Sequence, residues 1–370
     1  MELLRSWAEV NLAAVQQNLA AVRNHIPATT RIMGVVKANA YGHGAARIAE
    51  AIVDGVDAFG VANATEAHEV ARHAKGKPVY LLGIVLPSER ADVIASDFIP
   101  PISSLEEAAA YSALASGKKA KIFVSIDTGM GRMGVWQDDA KEEINKITQL
   151  PDIEFTGISS HLPVADEDDA FTREQLARFH AIAGEIRDSV APHALIHIEN
   201  SAGLIGFPEY IGSMVRPGLM LYGVSPRPEF ESRLTPALTW KTRVILVREV
   251  EAGRTISYGR AFTTDRSMRI ATLAAGYADG YPRQVSGKGA YVLIHGQRCP
   301  VLGRITMDQT MVDVTHLPKV SSSDEVVLLG SQGSETISAH TLGQWAGTIA
   351  WHILTGITGR VTRVYTGISD

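Results

Sequence analysis

R-I-M-G-V-V-K-A-N-A-Y-G-H-G, residues 31 to 44, sets a lysine at the end of an apolar run and follows it with small residues and one tyrosine. A run of four to six such residues has the length of a strand buried on both faces, as in a parallel sheet. A lysine ending it stands where parallel-sheet proteins place their chemistry, just past the carboxyl end of a strand. On its own, such a lysine is more often a snorkelling surface residue.

Outward from this stretch, short apolar runs alternate with helix-like segments through the first 230 residues or so. Strands are predicted at 31–36, 58–61, 79–84, 98–103, 120–126, 154–159, 194–198 and 213–215. Amphipathic stretches such as A-R-I-A-E-A-I-V-D and S-L-E-E-A-A-A-Y-S-A-L-A follow most of them, with Thr65 and Ser104 as candidate caps. Eight such units are the number of a (β/α)8 TIM-like barrel in an α/β chain; an open doubly wound sheet is the competing layout, which periodicity does not exclude. From about residue 235 the texture changes to short strands joined by Gly- and Ser-containing turns, as in V-I-L-V-R-E-V and E-V-V-L-L-G. Two domains are expected, a barrel over 1–234 and a mostly-β domain over 235–370, with a lone strand near 6–12 as a candidate to join the second.

The chain has 370 residues, 45% of them hydrophobic, and a net charge of −5 without a dense basic run, so nucleic acid has no footprint to grip. A small-molecule partner is expected instead. No apolar stretch reaches the roughly 18 residues of a membrane helix. A lone cysteine, Cys299, and an amino-terminus without a basic leader give a cytoplasmic expectation, and no metal is expected.

If the first half is a barrel, polar groups should gather after its strands, and they do. Lys37 ends the first, Asp127 to Arg132 follow the fifth, and His161 follows the sixth. His197 with Asn200 and Ser201 closes the seventh; Arg216 closes the eighth. Each alone has a plain structural explanation, a tight turn for the glycines or a paired arginine. Their common placement favours function. An amine at the mouth of an apolar barrel is desolvated and so partly neutral, which suits capture of an aldehyde, the part a lysine plays toward pyridoxal phosphate. N-S-A-G-L-I-G and the G-L-M after Arg216 offer a hydroxyl and backbone amides for a phosphate. No Walker or dinucleotide fingerprint is present.

Taken together, V-V-K-A-N-A-Y-G-H-G, D-T-G-M-G-R-M-G, H-I-E-N-S-A, V-R-P-G-L-M-L-Y-G, T-I-S-Y-G-R, G-Y-A-D-G-Y-P-R and L-G-R-I-T-M-D-Q resemble, in order, the blocks of the alanine racemase family. That resemblance implies a barrel followed by a β domain, pyridoxal 5'-phosphate as cofactor, a homodimer with shared active sites, and D-alanine supplied for peptidoglycan. It implies that Lys37 carries the cofactor and serves the D face, while Tyr258 of the other subunit serves the L face. His161 would stand near that tyrosine as one of the cations favouring its ionised form, and Arg216 would face the pyridine nitrogen. His197 would pack on the ring. Tyr41, Asn200, Ser201, Gly218, Leu219 and Trp351 belong to the implied cofactor set, most of them around the phosphate. Arg132 and the backbone amide of Met307 would hold the substrate carboxylate, with Tyr277 and Asp308 narrowing the entrance.

Two positions depart from the family pattern. Ser125 stands where many members carry a carbamylated lysine that supports the arginine, and Trp351-His352 replace a common Tyr-Glu pair. The alternatives weighed are a serine or broad-specificity racemase, a basic amino-acid decarboxylase and a non-catalytic cofactor carrier. The lone cysteine in R-C-P-V-L-G argues against the decarboxylase, and the β domain against the carrier.

Overall fold

The computed structural model describes residues 4–367 and divides them into two compact units. One unit runs over Val15–Ala40 and Ala45–Thr235; the other gathers the residues up to Ala14, Tyr41–Gly44 and the chain from Pro236 onward.

The first unit is a (β/α)8 barrel. Met214–Val215, Arg31–Val35, Ala58–Val61 and Val79–Leu81 form one parallel sheet; Pro101–Ile102, Ala120–Asp127, Ile153–Ser159 and Leu195–His197 form another. A parallel bridge between Tyr80 and Ile99 joins them at one side, with Leu81 N donating to Ile99 O at 2.9 Å. At the other side the Ser213 hydroxyl takes over the ladder, accepting from Ile196 N at 2.6 Å and donating to Ile196 O at 3.2 Å. Met33, Ala58, Tyr80, Ile99, Phe123 and Met214 point inward and fill the barrel as one packed layer.

Between strands the helices bury one face each. In Ala45–Ile52 the buried positions are Ala45, Ile48, Ala49 and Ile52, the spacing of a single helical stripe. Helix Leu105–Ala115 starts at Ser104, whose hydroxyl accepts from Glu107 N at 3.1 Å. For Ala64–Ala71 the cap is Asn63 rather than Thr65, because the Asn63 Oδ1 accepts from Glu66 N and Thr65 lies inside the helix. The fourth strand is also shorter than 98–103: Pro100 and Pro101 have no N–H to give a ladder, and only Pro101–Ile102 remains as strand.

A left-handed turn follows Lys37. Ala38, Asn39, Ala40 and Tyr41 have φ of 51, 55, 52 and 52°, and Gly42 continues at 82°. Each non-glycine residue so placed costs about 1–2 kcal/mol, so this run of two alanines, an asparagine and a tyrosine persists only because the surrounding contacts fix it. Ala40 N donates to Val36 O at 2.8 Å, and the Asn39 side chain accepts from Ala45 N at 2.8 Å.

The second unit is built on a nine-stranded sheet. Its long strand Leu238–Val250 pairs antiparallel with Ser6–Asn11, with Glu325–Gln332 and, in its second half, with Met268–Leu273. Ser6–Asn11 also runs parallel to Thr362–Thr366. Unlike the sequence boundary at 234, the grouping assigns Tyr41–Gly44 to this unit. Arg363 explains it, since its Nε donates to Gly42 O at 2.9 Å, and a Cβ on Gly42 would collide with the Leu354 carbonyl. Among the described residues no helix is long and apolar enough to cross a membrane, and no cluster of three or more potential metal ligands occurs.

Candidate active site

Lys37 is mounted on a strand end held from both sides. Val35 N donates to Pro217 O at 3.0 Å, Val36 N donates to Gly60 O at 2.9 Å, and the buried Tyr222 hydroxyl donates to Val35 O at 2.8 Å. The half-buried amine shares a cleft of about 300 Å³ with Ala62, Leu82, Gly83, Ile84, Arg132 and Met133. Its pKa lies below the ordinary lysine value, first because burial disfavours the ammonium and then because Arg132 and Arg216 repel it.

Arg132 is carried by the glycine-rich loop that leaves the fifth barrel strand. Asp127 organises this loop: its carboxylate accepts from Gly129 N at 2.9 Å, Met130 N at 3.0 Å and Arg132 N at 3.1 Å. Below it the buried Thr128 and Ser160 hydroxyls meet at 2.8 Å, and Gln175 donates to Thr128 Oγ1 at 3.0 Å and to His161 O at 2.9 Å. Ser125 is buried in the strand. The arginine loop is therefore set by Asp127 and Gln175, two residues that sequence reading did not assign to this task.

Arg216 is buried at the end of the eighth strand. Its Nη2 donates to Ser160 O at 2.5 Å and Ile198 O at 2.9 Å, tying the sixth and seventh strand ends together. Burial lowers its pKa to about 10, which still leaves it charged at neutral pH; Glu199 opposes the shift. Glu199 is itself fully buried, accepting from Gly212 N at 3.3 Å, with His180 Nε2 at 3.4 Å. It sits in plain view within H-I-E-N-S-A, and a carboxylate directly after the apolar end of the seventh strand run was the signal for it.

His197 is fully buried beside Phe123 and Tyr80, ring centroids 5.2 and 6.1 Å away, and neither ring nitrogen is hydrogen-bonded among the described residues. Burial holds its imidazole neutral. Burial of His161, with Arg216, Arg132 and Lys37 adding repulsion, lowers its pKa to about 3, which disfavours the imidazolium in the single chain.

Asn200 caps helix Ser201–Gly206, its Oδ1 accepting from Gly203 N at 3.0 Å. The Ser201 hydroxyl accepts from Gly218 N at 3.0 Å and Met220 N at 3.4 Å, so this serine, Gly218 and Leu219 form one corner. Lys37, Arg132, His161, His197, Asn200, Ser201, Arg216, Gly218 and Leu219 all belong to the barrel unit.

The other predicted residues belong to the second unit. Tyr258 opens a short turn after Ser257 and is 65% exposed; Tyr277 is 40% and Met307 53% exposed. Tyr277 N donates to Thr306 O at 3.0 Å and Ala278 N to Met307 O at 2.9 Å, which joins the two loops. Arg360 clamps them from outside, its Nη2 at 2.9 Å from Asp308 and its Nε at 3.4 Å from Asp279. Tyr41 is buried, which raises its phenol pKa to about 12, and Trp351 lies half-buried in helix Ala350–Thr355.

Comparison with known proteins places these features in one family. The family models described as "Alanine racemase, N-terminal domain" and "Alanine racemase, C-terminal domain" match residues 10–226 and 237–365. The alanine racemase of Halothermothrix orenii is 40% identical over 366 residues, covering 97% of this chain and 96% of its own. Among solved structures, the alanine racemase of Clostridium difficile 630 superimposes with a TM-score of 0.93 at 33% identity, over 99% of this chain and 97% of its own. That of Bartonella henselae, described with covalently bound pyridoxal phosphate, gives 0.88 at 29% identity, over 98% and 99%.

Proposed function

The chain belongs to the alanine racemase family, and from that premise we propose that it interconverts L- and D-alanine with pyridoxal phosphate held on Lys37. One observation carries the reading: a half-buried lysine just past a barrel-strand end that lines one cleft with Arg132.

The residues present suit the cofactor. Lys37 would hold its aldehyde carbon, Arg216 would face its pyridine nitrogen, and the buried imidazole of His197, with no partner among the described residues, would meet its ring. Tyr41, the Asn200–Ser201 helix start, Gly218, Leu219 and the Trp351 indole would surround its phosphate. An indole donates a hydrogen bond but accepts none, so Trp351 would offer the phosphate one N–H. When bound, the cofactor withdraws electrons from the substrate's α-carbon and makes its hydrogen acidic.

The protein's own groups do the rest. Arg132 offers a cation to the substrate carboxylate, with the Met307 amide of a second copy beside it. Lys37 Nζ, whose ammonium form burial disfavours, takes or returns the α-proton on the D face in this reading. Inversion requires a second proton carrier on the opposite face, because a single base tends to restore the enantiomer it started from. Tyr258 of a second copy is that group in this reading, and its exposure on the lone chain leaves it available. A homodimer with shared sites follows. Tyr277 and Asp308 would narrow the approach and favour a small side chain. Cytoplasmic supply of D-alanine for peptidoglycan is the role this reading gives the protein.

The test is direct. Purified protein loaded with pyridoxal phosphate should convert either alanine enantiomer to the other, followed by enantioselective chromatography, and should turn over alanine faster than serine. Cofactor-loaded protein that leaves L-alanine unchanged overturns the reading.

A further inference from the structure

Two backbone amides at neighbouring barrel-strand ends converge on one carboxylate. Glu66 Oε1 accepts from Ala38 N and Glu66 Oε2 from Ala62 N, both at 2.8 Å. Ala38 follows Lys37, and Ala62 follows strand Ala58–Val61. A glutamate three residues after a helix cap ordinarily reaches back to the N–H of the cap itself. Here the cap is Asn63, and Glu66 passes it to reach the preceding residue, Ala62, and Ala38 beyond the end of the adjacent strand Arg31–Val35. Only a carboxylate can accept at both oxygens; a glutamine would present an N–H₂ to one of these amides.

The Ala38 peptide opens the left-handed turn, whose residues are held in a costly conformation. Such a conformation persists only where the surroundings fix it. We propose that Glu66 is a positioning residue for Lys37: it fixes the peptide on which the reactive amine is mounted and supplies an opposing charge to it. This rests on the reading of Lys37 as the cofactor-bearing lysine. The charged groups that act on this amine are Arg132 and Arg216, which disfavour its ammonium form, and Glu66, which favours it; His161 beside them is neutral. Glu66 thus keeps burial and two arginines from driving the amine's pKa lower still.

The experiment reads cofactor capture rather than turnover. Protein stripped of cofactor is exposed briefly to pyridoxal phosphate across a pH series and then to borohydride. The neutral amine attacks the aldehyde carbon, water leaves, and hydride reduces the resulting C=N bond. Peptide mapping gives the fraction trapped on Lys37. In Glu66→Gln the pH of half-maximal capture should fall by about half a unit to one unit, as expected when one nearby opposite charge is removed. Glu66→Asp keeps the charge but cannot span both amides. Its midpoint should stay at the wild-type pH while its kcat, per cofactor-loaded site, drops at least about fivefold with KM little changed.

An unmoved midpoint in Glu66→Gln overturns the proposal even if the variant is less stable. Should that variant fail to fold, Glu66→Asp decides, and wild-type kcat in it overturns the proposal. Wild-type protein that traps no cofactor on Lys37 overturns the underlying reading, a result seen before any variant is compared.

Discussion

Arg363 donates to the Gly42 carbonyl, 321 residues away in sequence, at 2.9 Å. The same guanidinium donates to Thr358 O at 2.6 Å, Val361 O at 2.8 Å and Ile357 O at 2.8 Å. Four of the five N–H donors of this guanidinium are taken by carbonyls, and they tie the turn that contains Tyr41 to the carboxyl-terminal segment of the same unit. Arg363→Lys keeps the charge but not the fork. It should cost about 2–4 kcal/mol, two or more charge-assisted bonds being lost. Urea unfolding measures this, and a midpoint equal to wild type would show the four contacts to be idle.

The left-handed turn makes its own prediction. At Ala38, exposed and at φ 51°, glycine removes a steric cost of about 1–2 kcal/mol and adds chain entropy of similar size. Ala38→Gly should therefore leave the thermal midpoint level or slightly raised. Ala38→Val, branched at Cβ, should destabilise by at least about 1 kcal/mol beyond the alanine value. Equal stability of the valine variant contradicts the described backbone.

Acid should weaken the fold through its partly buried His161 and fully buried His197 imidazoles. His161 has a folded pKa of about 3 against an ordinary 6.5, so below 6.5 the unfolded chain binds a proton that the folded chain refuses. Its stabilising contribution is whole above pH 6.5 and declines as pH falls toward 3. His197 is lowered in the same direction. Unfolding free energies measured at several pH values should fall across this window, and His161→Asn should flatten the slope. An unchanged slope in that variant shows the imidazole to be solvated.

Sharing of sites between copies can be tested by mixing. Chains carrying Lys37→Ala and chains carrying Tyr258→Phe should each be nearly inactive. Dissociated together and reassociated at random, half the dimers are mixed and each has one intact site, so activity should recover to about a quarter of wild type. No recovery places both groups on one chain.

Much of the barrel was legible because buried parallel strands are largely apolar runs: Ala58–Val61 is wholly apolar, and I-M-G-V in Arg31–Val35 and I-F-V in Ala120–Asp127 keep the pattern between polar residues. The residues after those strands could then be read as a site. What stayed hidden has no period. A left-handed turn shows only as small residues, and the role of Glu66 does not show at all because its partners are backbone amides, one of them 28 residues away. Asp127 and Gln175 were likewise invisible as supports for Arg132, since their partners are amides, a hydroxyl and a carbonyl brought together only by folding. The low pKa of His161 was likewise not legible, because burial and cationic neighbours are properties of the fold.

The central claim is that one proton carrier stands on each face of the substrate, Lys37 on one and Tyr258 on the other. Exchange of the alanine α-hydrogen in deuterium oxide tests it most directly, with each enantiomer supplied separately to the Tyr258→Phe protein. The account predicts that D-alanine exchanges its hydrogen for deuterium without inverting while L-alanine does neither. Deuterated L-alanine formed from D-alanine at the wild-type rate would contradict it.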